Sequence, residues 1–85
     1  MFKIAWKEKA FRQLRKIRNQ QDKEAIYEAV EKLQDWPDCR NIKSLVNHEH
    51  GYRLRTGRYR VLFDVDNVVR IIEIQEVKKR DEHTY

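Results

Sequence analysis

The sequence predicts an α+β domain of order β-α-α-β-β-β, a two-helix hairpin packed on a small antiparallel sheet. Two patterns carry this expectation: helical spacing of apolar residues over 7–33 and alternation of apolar and polar residues over 52–77. Helices gathered in one half of a chain and a strand meander in the other belong to this class. At 85 residues the chain is expected to form one domain, 1–85, close to the lower size at which a core suffices without staples.

Each element has its own justification. Phe2, Ile4 and Trp6 alternate with Lys3 and Ala5, which suits a short half-buried strand. From Lys7 the period changes, and Ala10, Phe11, Leu14 and Ile17 make one helical face apolar while lysine and arginine take the other. "RNQQD" interrupts this pattern, with Asn19 placed to cap a second helix over 20–33. Ile26, Val30 and Leu33 form its stripe, with Tyr27 and Ala29 beside it, and Trp36-Pro37 closes it because a residue before proline avoids helical dihedrals. Residues 38–50 lack a period and read as a loop with a short turn around 42–45. Strands are then expected at 52–55, 58–65 and 68–77, with turns at Thr56-Gly57 and Asp66-Asn67. Trp6, Phe11, Trp36, Tyr52 and Tyr59 are most simply packing residues.

Charge bounds the partners. The net charge is +5 and the isoelectric point about 9.5, which favours an anionic partner: nucleic acid, an acidic protein or a membrane surface. Cys39 is the single cysteine, so neither an internal disulfide nor a cysteine metal cluster is available, and a reducing cytoplasm is the expected setting. The opening "MFKIAWKEKAF" lacks a signal-peptide apolar run, and no stretch reaches transmembrane length, so no membrane role is expected.

The hairpin "GYRLRTGRYRVLFDVD" concentrates that charge. If Tyr52, Leu54, Tyr59, Val61 and Phe63 face the helices, then Arg53, Arg55, Arg58 and Arg60 share the opposite face. Lys78, Lys79 and Arg80 join them if the last strand lies alongside, while Asp64 and Glu73 neutralise part of the charge. Exposed antiparallel faces are often studded with Arg and Lys merely to stay solvated. The repeated Arg-x-Arg shifts the balance towards a phosphate site, since guanidinium is a planar five-donor group.

These same residues resemble the RelE/ParE superfamily of toxin–antitoxin toxins, RelE-like branch. The resemblance rests on "IKSLVNHEHGYRLR" leading into the hairpin, the apolar strand after it and the basic tail ending in tyrosine. It implies the β-α-α-β-β-β fold over nearly the whole chain, and a ribosome-dependent endoribonuclease that cuts mRNA in the A site without a cofactor. The alternatives are a ParE-like inhibitor of DNA gyrase and a non-enzymatic basic binding module. Implied partners are a cognate antitoxin, the ribosome and mRNA, with Lys9, Arg12 and Lys16 offered to rRNA phosphates. Carried over position by position, the family's site falls on Arg53, Arg55 and Lys78 for RNA phosphates and on Arg60, Lys79, Arg80 and Tyr85 for catalysis. Where many relatives have Gly-His-Arg or Gly-Lys-Arg, this chain has Val77-Lys78-Lys79-Arg80. Lys79 fills the second catalytic position without a gap, and Arg80 fills it with a shift of one residue.

The chemistry suits these residue types. Attack by the 2′-hydroxyl on the adjacent phosphate needs a base, an acid and a stabiliser for the extra phosphorane charge. Arginine stays protonated, so Arg60 and Arg80 are stabilisers, whereas Lys78 or Lys79 among cations is the better base. Tyr85 can stack on a nucleobase or exchange a proton, and His83 is a rival acid–base residue. His48 and His50 form a His-x-His pair, but only Glu49 accompanies them in sequence, so no metal is expected. Cys39 has no His–acid set around it and reads as structural.

Overall fold

The structure, a computed structural model, describes residues 1–80. A five-stranded sheet of order β1-β5-β4-β3-β2 is built from β1 (Lys3–Trp6), β2 (Ile42–Ser44), β3 (Tyr52–Thr56), β4 (Tyr59–Asp66) and β5 (Ile71–Lys79). Helices α1 (Glu8–Arg15) and α2 (Gln20–Glu31) lie between β1 and β2 in sequence, and a 3-10 turn, Lys32–Asp35, follows α2. The α+β class and the helical hairpin are as the sequence predicts. The sheet is mixed rather than purely antiparallel, because β1 pairs in parallel with β5. No helix among the described residues is long and apolar enough to cross a membrane.

Local chemistry explains the helix boundaries. Asn19 Oδ1 accepts the Asp22 N–H at 3.0 Å, satisfying one of the donors that every helix start leaves open. The α2 stripe then buries Ile26 and Val30, and Leu33 follows in the 3-10 turn. Trp36 ends this segment and packs edge-on against Tyr52 at 4.7 Å and Phe63 at 5.6 Å between ring centroids. Ala10 and Leu14 of α1 complete the helical side of the core, opposite Val61, Phe63, Ile72 and Ile74.

Four local expectations change. Residues 42–44 are a strand, not a turn: Ile42 faces inward opposite Leu54, and Asn41 enters the strand with φ 63°. A three-residue strand shows too little alternation to be seen in sequence, and its existence depends on the edge that β3 offers. The last strand starts at Ile71 rather than Val68, because Asp66 Oδ1 takes the N–H groups of Val68 and Val69 at 3.0 and 3.2 Å and turns the chain. The hairpin turn occupies Gly57-Arg58, with Gly57 at φ 56°, a conformation that suits glycine. Phe11 is not core; it is about half exposed at the border of the α1 stripe, with the Arg15 guanidinium 5.9 Å from its ring centroid.

The two phenylalanines should therefore respond differently to truncation in urea denaturation. Phe63→Ala is expected to cost about 3–5 kcal/mol, as for a fully buried aromatic. Phe11→Ala is expected to cost no more than about 1 kcal/mol.

Candidate functional site

Pairing register decides which charges share a surface, since directly opposed residues project to the same face. Arg55 on β3 opposes Arg60 on β4, and Arg60 opposes Lys78 on β5. One pleat further along the sheet, Lys43 opposes Arg53, Arg53 opposes Leu62, and Leu62 opposes Glu76. The alternate residues Leu54, Val61 and Val77 form a buried row on the helix side. The outward face thus carries a row Arg55–Arg60–Lys78 flanked by Lys43 and Arg53. Arg55 and Lys78 are exposed, and Arg53 and Arg60 are half-buried.

The structure separates the remaining basic residues. Lys79 opposes Tyr59, which puts it on the helix side of the sheet rather than in the basic row. Arg80 follows β5 with the parity of Lys78, and its N–H donates to the Arg58 carbonyl at 2.6 Å. Arg58 sits exposed in the turn. His83 and Tyr85 lie outside the described residues. Lys9, expected on a free helix face, instead reaches Glu76. Lys43 joins this face through β2, a strand whose three residues carry no period in the sequence.

Within this basic surface sits a cluster that sequence reasoning did not assemble. Glu76 is 7% exposed; its Oε1 lies 3.2 Å from Lys9 Nζ and 3.6 Å from Lys78 Nζ, and its Oε2 lies 3.5 Å from His50 Nε2. The other ring nitrogen, Nδ1, is 3.1 Å from Asp64 Oδ2, while Asp64 Oδ1 accepts the Gly51 N–H at 2.7 Å. Burial alone pushes the Glu76 carboxyl up, but the Lys9 hydrogen bond and the charges of Lys78, Lys9 and His50 outweigh it and hold it below its ordinary value. The partners come from α1, from the loop before β3 and from two strands, so no local sequence pattern announces them. Cys39 is set apart from this surface; burial first, then Asp35 and Asp38, push its thiol up, away from a nucleophilic thiolate.

The geometry is thus a cationic row across three strands, anchored at one end by a buried carboxylate. The family described as "ParE toxin of type II toxin-antitoxin system, parDE" matches residues 4–83. The chain belongs to that family. It is a toxin of a type II toxin–antitoxin system with the RelE/ParE-like fold. No curated protein matches it.

Solved structures agree on the toxin's fold. The RelBE2 toxin–antitoxin complex of Mycobacterium tuberculosis is 26% identical, with a TM-score of 0.78 over 93% of this chain and 98% of that one. The RelE–RelB complex of Pyrococcus horikoshii is 21% identical, with a TM-score of 0.79 over 95% and 97% of the two chains. The isolated Escherichia coli RelE toxin is 15% identical, with a TM-score of 0.81 over 99% and 89%. The last two likenesses concern the toxin fold alone.

Glu76→Gln tests the anchor. Removing its charge at neutral pH should cost the toxin about 1.5–3 kcal/mol, the range for hydrogen bonds to charged groups. Because the folded carboxyl titrates below its ordinary value of 4.5, this stability is present above that pH and is lost as pH falls through the lower folded value. Chemical denaturation from neutral pH to pH 3 should show the gap between wild type and variant closing in acid. A gap independent of pH would contradict the electrostatic role.

Proposed function

We propose that this toxin is a ribosome-dependent endoribonuclease that inhibits translation by cutting mRNA in the A site. The observation that supports this most is the cross-strand row Arg55–Arg60–Lys78, with Arg53 one pleat away. Opposed guanidiniums repel, and an anion between them relieves that repulsion. An RNA phosphate is such an anion, and it gains negative charge as the 2′-hydroxyl attacks.

In this reading Arg60, at the centre of the row, faces the phosphorane oxygens, while Arg53, Arg55 and Lys78 hold the flanking phosphates. The second stabiliser is Arg80 rather than Lys79, because parity turns Lys79 to the helix side. Lys78, set among cations, is the candidate base, and Tyr85 and His83 in the tail are the other candidates for proton transfer. Glu76 is not a free base, since two lysines and His50 already occupy its oxygens. Binding rests largely on phosphate charge and weakens steeply with salt.

A cognate antitoxin is the protein partner this reading requires, and the M. tuberculosis relative is solved as a toxin–antitoxin complex. An open cavity of 590 Å³ between α2, residues 38–41 and the β3–β4 turn reaches Arg55. An amphipathic or acidic antitoxin segment seated there would compete with RNA for the same charge.

The ParE description of the matching family favours a second reading, a gyrase poison that leaves RNA intact. Translation of a defined mRNA followed by primer extension separates the two. A-site cuts are expected, falling about a hundred- to a thousandfold in Arg60→Ala, the loss typical of one charge stabiliser. Intact mRNA together with trapped gyrase–DNA cleavage complexes would replace this proposal with the second reading.

A further inference from the structure

We infer that Glu49, His50 and Glu76 form a binding site for a zinc-type divalent cation at the junction of the pre-β3 loop and β5. One donor atom from each residue lies within 4.8 Å of the others. One imidazole nitrogen and two carboxylate oxygens form a donor set that zinc accepts, and three protein ligands leave a fourth tetrahedral position open.

Three details fit a bound cation. First, Asp64 Oδ2 sits 3.1 Å from His50 Nδ1 and is itself fixed by the Gly51 N–H. A carboxylate on one ring nitrogen makes that nitrogen the donor and aims the lone pair of the other at a metal, the usual outer-shell support of a metal-binding histidine. Second, with Nδ1–H donating to Asp64, a neutral ring turns its Nε2 lone pair to Glu76 Oε2, and a cation between the two atoms would bridge them. Their separation of 3.5 Å is long for a hydrogen bond. It is close to the roughly 3.3 Å between two ligands that each stand about 2.0–2.1 Å from one tetrahedral zinc. Third, the two oxygens of Glu76 are divided. Oε1 faces Lys9 and Lys78, so their charges are met by one oxygen while Oε2 remains directed at His50.

The site would tie residues 45–51 to β5 beside the basic row. Histidine and Glu49 come from the loop, and Glu76 comes from the strand, so the bound cation bridges segments far apart in sequence. His48 is adjacent in sequence but is not one of the three donors; its Nδ1 accepts the His50 N–H at 3.0 Å.

The test uses the tag-free, metal-stripped full chain titrated with ZnCl2 by calorimetry, with thermal unfolding in parallel. One zinc per chain is expected, with a rise in Tm of about 10–20 °C at a hundredfold excess over Kd. Glu49→Ala and His50→Gln should each weaken binding about tenfold or more, and His48→Ala should leave it unchanged. Glu49 is exposed, so its variant reports on binding even if His50→Gln perturbs the loop. No zinc uptake, uptake undiminished in Glu49→Ala, or uptake dependent on His48 would overturn the site. The readout is independent of RNA cleavage, so its outcome stands apart from the proposed activity.

Discussion

One extra residue in β5 governs which charges this protein presents. Phe63 opposes Ile74, yet its neighbour Leu62 opposes Glu76, so β5 holds one more residue than β4 across that step. Such a bulge reverses the parity of a strand. On its far side Ile72 and Ile74 face the core, and on its near side Val77 does. With unbroken alternation Glu76 and Lys78 would share the face of Ile72 and Ile74, placing a carboxylate and an ammonium among buried apolar side chains. The bulge sends both outward, puts the exposed Lys79 on the helix side, and lets Lys78 complete the row begun by Arg55 and Arg60. Core formation and charge display are therefore fixed by the same residue, Gln75.

Bringing cations together opposes folding, and the structure offsets this with one buried carboxylate at the Lys78 end of the row. Glu76 is placed one pleat from Lys78 and is also held by Lys9, so α1 is bound to β5 by charge as well as by Ala10 and Leu14. Gln13 Oε1 accepts the Val77 N–H at 2.7 Å, covering a backbone donor of β5 beyond the reach of the short β1. On the loop side His50 and Gly51 hold Asp64. The carboxylates on this surface are thus committed at its base, while Arg55 and Lys78 remain exposed. Polar contacts below the row hold the sheet face in shape, and the guanidinium of Arg55 stays exposed at its other end.

What the sequence reveals follows the range of each interaction. Helices and the main hairpin are local: spacing, the Asn19 cap and the glycine turn announce them within a few residues. The inward set Leu54, Val61 and Phe63 follows from alternation alone, and with it the outward Arg53, Arg55 and Arg60. Strand β2 stayed hidden because three residues carry no period, and Lys43 was lost with it. Val68 and Val69 looked like strand until Asp66 captured their N–H groups. The bulge was invisible because "IIEIQEV" satisfies either parity at one end only. The histidine–carboxylate cluster needed the tertiary fold, since Glu76 and Asp64 stand on different strands and His50 in the loop before β3.

This division also explains why the fold by itself does not select a target. The helices, β1 and the core row meet the packing needs of this chain whatever its substrate. The chemistry depends instead on outward positions that the core does not constrain. Replacing Arg60 or Lys78 by another polar residue leaves Val61 and Val77 where they are, so the face can change while the scaffold stands. A single parity change is more consequential, because it exchanges the core with the charged face. The RNA-cleaving reading thus rests on a narrow set of side chains, whose arrangement the bulge makes possible and the Glu76 contacts make tolerable.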